Sequence, residues 1–349
     1  MTDARLEGLA GAAVAAFAAA WLITAGIRRY ALASRTLLDL PNHRSAHAVA
    51  VPRGGGMAIV TSFIVVAAVL AWLRVMPAAL AGAMLGGGLL VAAVGFADDH
   101  RSLPARWRFL AHVGAAAWVL WCLGGIPPVP LFGMAVDLGG FGLALATAYL
   151  VWMVNLTNFM DGIDGLAAIE AITVALGGAL CWWLATATPL WFVPILFAAS
   201  VAGFLAWNFP PASIFMGDAG SGFLGITLAA LSLWTALEAP QVFWSWFILL
   251  GVFMVDATTT LVRRVRRGER FNEAHRSHAF QYAARRHGSH LEVTLACGVI
   301  NLVWLLPLAV LVAMRKLDGV AGVIVAYAPL VWLAFHYKAG ARDQQGSLS

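Results

Sequence analysis

The chain has 349 residues, 61% of them hydrophobic and 11% charged, with 15 tryptophans and a formal charge of +5. Soluble domains carry about 25% charged residues, so this composition excludes an ordinary soluble enzyme and leaves too little polar sequence for a separate soluble domain. Three cysteines, all inside apolar runs, exclude a disulfide framework and a cysteine metal site.

A membrane-spanning helix needs roughly 20 mostly apolar residues. Eleven stretches qualify in chain order: 8–27, 55–73, 78–96, 109–126, 140–157, 166–185, 190–207, 221–237, 241–262, 291–314 and 319–337. The first follows a segment without a basic n-region and precedes Arg28 and Arg29, which predicts a retained helix rather than a cleaved signal. The expectation is an all-α integral membrane protein of about 11 transmembrane helices, built as one domain over residues 1–349.

Eighteen of the 22 basic residues fall in one set of alternate connections, and only Arg5, Arg74, Arg315 and Lys316 fall in the other. The positive-inside rule then places the N-terminus outside and the C-terminus in the cytoplasm. The cytoplasmic loops become about 28–54, 97–108, 158–165, 208–220 and 263–290. The basic excess is a topology signal and a handle on anionic lipid; no basic soluble domain exists to bind nucleic acid.

The acidic residues collect at the same cytoplasmic level. Asp98-Asp99 ends an apolar run, where adjacent carboxylates repel and suit a cation or a proton. In NLTNFMDGIDGLA, Asn155, Asn158, Asp161 and Asp164 recur every third residue, and the two Asp-Gly pairs predict a break near Asn158 with Asp164 as an N-cap for the next helix. Asp218 sits among Gly217, Gly220 and Gly222 just before another helix, a place that favours phosphate if a metal offsets the carboxylate. Asp256 lies about 10 Å inside the ninth segment.

Two loops add basic groups. Arg44, His47 and Arg53 precede three glycines and read as a phosphate-contacting element. The 263–290 loop holds His275, Arg276 and His278, better suited to a diphosphate or sugar hydroxyls than to zinc; Arg263, Arg264, Arg266 and Arg267 read as a topology anchor.

Taken together, Asp98-Asp99, Asn158-x-x-Asp161-Gly-x-Asp164-Gly, Phe215-Met-Gly-Asp218-x-Gly-Ser221 and the His275–His278 loop resemble the polyprenyl-phosphate N-acetylhexosamine-1-phosphate transferases. The resemblance implies an enzyme of the bacterial cytoplasmic membrane that joins undecaprenyl phosphate and a UDP-N-acetylsugar, releases UMP and uses Mg²⁺ or Mn²⁺. It implies that Asp218 binds the metal beside Asn158 or Asp161, and that Asp98 and Asp99 position or deprotonate the lipid phosphate. It also implies that Asn208 and Phe215 hold and stack the uracil, and that the histidine loop contacts the sugar. A homodimer is the oligomeric option it brings. The histidine loop reads Ala-His-Arg-Ser-His rather than consecutive histidines. That departs from the MurNAc-pentapeptide enzyme and looks more like the O-antigen-initiating branch, with FucNAc, QuiNAc or GlcNAc as the sugar; the same transfer with a MurNAc-peptide donor is the alternative. The rival reading is a cation-coupled transporter, whose acids belong near the midplane between repeats; here they cluster at one face.

Overall fold

A computed structural model describes residues 3–35, 37–39, 50–269 and 275–342. Thirteen helices follow in order among these residues: α1 (Asp3–Ser34), α2 (Gly56–Trp72), α3 (Ala78–His100), α4 (Ala105–Leu123), α5 (Gly139–Met160), α6 (Leu166–Ala185), α7 (Pro189–Asn208), α8 (Asp218–Glu238), α9 (Val242–Leu249), α10 (Gly251–Arg266), α11 (Ala279–His287), α12 (His290–Ala313) and α13 (Gly319–His336). Two short antiparallel pairs complete it: β1 (Leu38–Asp39) with β2 (Val51–Pro52), and β3 (Val129–Leu131) with β4 (Met134–Val136).

Each of the eleven apolar stretches is helical, as their unbroken runs of Leu, Val, Ala and Phe require in lipid, where helices satisfy their own backbone. Among the described residues, eight helices are long and apolar enough to cross a membrane, or nine if one bent pair counts as a single span. The chain is therefore a multi-pass membrane protein. The count of eleven stands unmatched at two places: α2 has only 17 residues, and α4 opens with Arg106 and Arg108 and is outside the eight. The ninth stretch is not one straight rod either. It breaks at Leu250 into α9 and α10, which meet at 68°.

Helix α8 forms the axis of the molecule, with almost every side chain from Ala219 to Ala236 buried. It packs on α2, α3 and α5. Small residues permit that enclosure: a Cβ at Gly220 would stand 2.5 Å from the Gly56 Cα of α2, and one at Gly225 would collide with the Met153 carbonyl of α5. Such small-residue contacts replace the hydrophobic drive that helices lack in lipid.

Candidate active site

The N-terminus of α8 organises the site. Gly217 adopts φ +82°, a left-handed turn open to glycine, and delivers Asp218 as the first helical residue. No residue of α8's own loop caps this end. Asp99, at the end of α3, does so instead: its Oδ1 accepts from the Asp218 N–H at 3.0 Å and its Oδ2 from the Ala219 N–H at 3.3 Å. A carboxylate at a helix N-terminus satisfies otherwise orphaned donors and the helix dipole together.

Arg53 closes the arrangement. Its Nη2 lies 2.6 Å from Asp218 Oδ1 and 3.0 Å from Asp99 Oδ1. Backbone pairing puts it there: Phe215 N–H donates to the Pro52 carbonyl at 2.8 Å, and the Gly55 and Gly56 amides donate to the Phe215 and Met216 carbonyls at 2.9 Å. Burial works against the Arg53 charge, but Asp218, Asp99 and Asp161 outweigh it and raise its pKa above the ordinary value. Asp161, just past the end of α5, is pushed up to about 7, first by burial and then by the carboxylates of Asp218, Asp99 and Asp164, while Arg53 pulls it down.

Asp98 points the other way from its neighbour. It accepts from Arg108 Nη1 at 2.5 Å and from the Leu103 N–H at 2.6 Å, and its carboxyl lies within hydrogen-bonding reach of Asp218. Asn158 reaches Asp218 from α5 and donates to Ser221 Oγ at 3.1 Å. These groups face a cleft of about 780 Å³ whose polar lining includes Asp98, Arg108, His112, Asn155, Asn158, Asp218, His275 and His278. The other wall is apolar, with Val91, Val94, Phe109, Val113, Val151, Trp152 and Leu261. One end suits phosphates and hydroxyls, and the other suits hydrocarbon.

The histidines enter from the far side. His278 is 3% exposed, its Nδ1 lies 3.2 Å from Asp256 Oδ1, and its ring stacks on His275 at 4.9 Å. Burial, helped by His278 and Arg264, lowers His275 to about 4, so it is neutral at physiological pH.

Two other expected site residues, Asp164 and Asn208, are bonded within the chain. Asp164 is not the N-cap of α6; Gly165 takes that position with φ +73°. The Asp164 carboxylate instead accepts from the Ala212 N–H at 3.0 Å and lies 3.4 Å from His290 Nδ1, binding the 161–165 turn to the 209–217 loop and α12. Asn208 is 3% exposed and uses both ends of its amide within the chain, donating to the Ile214 carbonyl at 2.9 Å and accepting from the Gly165 N–H at 3.0 Å. Neither residue lines the cleft. Phe215 is half-buried beside β2, and Arg276 is half-buried next to His275. Arg44 and His47 lie outside the described residues.

Three contributors were not among the expected site residues. Arg108 and His112 lie one turn apart on α4, an i, i+4 spacing that could have marked one face had the arginine not already fitted the topology signal. Asp256 was visible as an acid in an apolar run, but its partners were not.

Residues 81–236 match Glycosyl transferase family 4. The probable undecaprenyl-phosphate N-acetylglucosaminyl 1-phosphate transferase of Bacillus subtilis is 31% identical over 291 residues, covering 80% of this chain and 78% of its own.

The chain belongs to glycosyl transferase family 4.

The decaprenyl-phosphate N-acetylglucosaminephosphotransferase of Mycolicibacterium smegmatis is 30% identical over 76% of this chain and 71% of its own. A phospho-N-acetylmuramoyl-pentapeptide-transferase of Moorella thermoacetica is 34% identical over a shorter stretch, 50% of this chain and 58% of its own. The family match starts within α3 and stops within α8, so it encloses Asp98, Asp99, Asn158, Asp161 and Asp218 and leaves out Arg53 and the histidine loop.

Proposed function

We propose that this protein transfers an N-acetylhexosamine 1-phosphate from a UDP-sugar to undecaprenyl phosphate at the cytoplasmic face of a bacterial inner membrane, releasing UMP. An oxygen of the lipid phosphate bonds to the sugar-bearing phosphorus as the bond from that phosphorus to the bridging oxygen breaks, and that oxygen leaves with UMP. The observation that carries the reading is the cleft in which an apolar wall meets Asp98, Asn158, Asp218 and Arg108. The names of the Bacillus subtilis and Mycolicibacterium smegmatis relatives support a polyprenyl phosphate acceptor and a GlcNAc donor.

Phosphoryl transfer depends on positioning and charge neutralisation more than on covalent help. Arg108, already paired with Asp98, is placed to meet a lipid phosphate whose chain runs along Phe109, Val113 and Trp152. Asp98 fixes that guanidinium, and Asp99 acts from behind by capping α8 and so aiming Asp218. Arg53 holds one oxygen of Asp218, whose carboxylate also meets Asn158 and lines the cleft.

The residues fit a hard divalent ion. Asp218, Asn158 and Asp161 offer oxygen donors, and no group of three or more His, Cys, Asp or Glu converges among the described residues. Mg²⁺ takes one or two carboxylates and completes its shell with phosphate oxygens and water, so a sparse protein set is what it needs. Bound there, Mg²⁺ or Mn²⁺ would supply charge neutralisation of the diphosphate.

The product is a lipid-linked diphospho-sugar, the starting unit of a cell-envelope polysaccharide such as O-antigen. The arginine-rich loops support an N-terminus outside and a C-terminus in the cytoplasm. UMP release by the purified protein, with undecaprenyl phosphate, Mg²⁺ and UDP-GlcNAc, UDP-FucNAc, UDP-QuiNAc or UDP-MurNAc-pentapeptide, tests the reading. Release that needs both lipid and metal supports it, with UDP-GlcNAc expected to be fastest; no release with any donor from folded protein rejects it.

A further inference from the structure

Asp256 is 6% exposed inside α10, yet its carboxylate gathers four donors. Oδ1 accepts from Thr260 Oγ1 at 3.1 Å and from the Ala279 N–H at 2.9 Å, and lies 3.2 Å from His278 Nδ1; Oδ2 accepts from the Phe280 N–H at 3.0 Å. A carboxylate holding two backbone amides and a hydroxyl is in its ionised form, because a proton on it would displace a donor. An ionised carboxylate has no hydrogen to give, so the imidazole must be the donor, and Nδ1 carries the hydrogen. The partner that a histidine's first nitrogen finds fixes what the second can do.

The ring itself is held against rotation. It is 3% exposed and stacks on the rings of His275 at 4.9 Å and Phe280 at 5.6 Å, with Phe159 6.4 Å away. His278 also lines the cleft that contains Asp218. With Nδ1 committed to Asp256, Nε2 is the nitrogen left for that cleft.

We propose that Asp256 is a positioning residue for the transfer reaction: it locks His278 in the Nδ1–H form and leaves Nε2 as a hydrogen-bond acceptor for a hydroxyl of the sugar donor. The proposal rests on the function proposed above. It also separates His278 from the phosphate-binding groups, because a lone pair on Nε2 repels phosphate oxygens and welcomes an O–H.

The test uses the full-length protein in detergent with ¹⁵N-labelled histidine, the His278 signal being assigned by its loss in His278→Gln. At pH 8 the wild-type spectrum is expected to show hydrogen on Nδ1 and none on Nε2; the opposite tautomer overturns the proposal. This measurement needs no turnover, so it stands or falls apart from the transfer reaction. Asp256→Asn keeps an oxygen for one of the two backbone amides and should lower kcat/KM by roughly 10- to 100-fold, the usual effect of removing the group that orients a functional histidine. In a His278→Gln background the same change should cost less than about twofold, since Asp256 acts through that ring. An equal loss in both backgrounds overturns the proposal. Where Asp256→Asn fails to fold, the wild-type tautomer decides alone.

Discussion

Replacing Gly220 by alanine tests whether the crossing of α2 and α8 sets the reactive geometry. The added Cβ would stand 2.5 Å from both the Gly56 Cα and Met216 Cγ. Carbon atoms pack at about 3.5–4.0 Å, so at least one neighbour must retreat by roughly 1 Å or more. Met216 has side-chain torsions that can yield, but the Gly56 Cα is backbone, and it moves only if α2 moves. Arg53 lies three residues before Gly56 and Asp218 two residues before Gly220, so the strain falls on the 2.6 Å contact between them. Overpacking of this kind costs about 1–3 kcal/mol, and a misplacement near 1 Å costs on the order of 100-fold in rate. Gly220→Ala should therefore lower kcat/KM for UMP release by about 100-fold and lower the melting temperature in detergent. Gly11→Ala on α1 is the control, since nothing lies within 4 Å of its added Cβ. Turnover within about threefold of wild type in Gly220→Ala, with unchanged melting, would refute the argument that this crossing positions the site.

His275 gives a pH-dependent stability of known sign. Its folded pKa is about 4 against an ordinary 6.5, so between those values the unfolded chain binds the extra proton and stability rises with pH. His275→Gln should flatten the increase in melting temperature measured between pH 4.5 and 7. Asp218→Ala should abolish UMP release while inserting normally in membranes, whereas Asp164→Asn, which keeps an acceptor for the Ala212 amide, should retain at least about a tenth of wild-type turnover. Arg53→Met should lower the melting temperature in detergent, because Asp218, Asp99 and Asp161 lose their shared counter-charge. Stripping divalent ions with EDTA should stop turnover, and Mg²⁺ should restore it.

The helices were legible because lipid demands long apolar runs, and each such run is helical. The acid cluster was legible too: Asp98, Asn158 and Asp218 line one cleft although 120 positions separate the first from the last. What the sequence hid was the direction of each side chain. Asp98 and Asp99 are neighbours, yet one pairs with Arg108 and the other caps α8, and nothing local distinguishes them. Asp164 offered the right residue type for a helix cap, but the left-handed Gly165 took over the turn and freed the carboxylate for a loop 48 residues away. The bend at Leu250 was equally hidden, because Leu250-Gly251 sits in a run that reads as uninterrupted helix.

The enclosure of α8 also bears on how the protein is made. Its main packing partners α5, α3 and α2 precede it in the chain, and α9, which also packs on it, follows directly. A ribosome that has released Glu238 has therefore already supplied Arg53, Asp98, Asp99, Asn158, Asp161 and Asp218, with the helices that hold them. The carboxylates enter the bilayer edge in the company of their arginines, before the last five helices exist. The histidine loop arrives afterwards, as a cover laid over a floor that is already assembled.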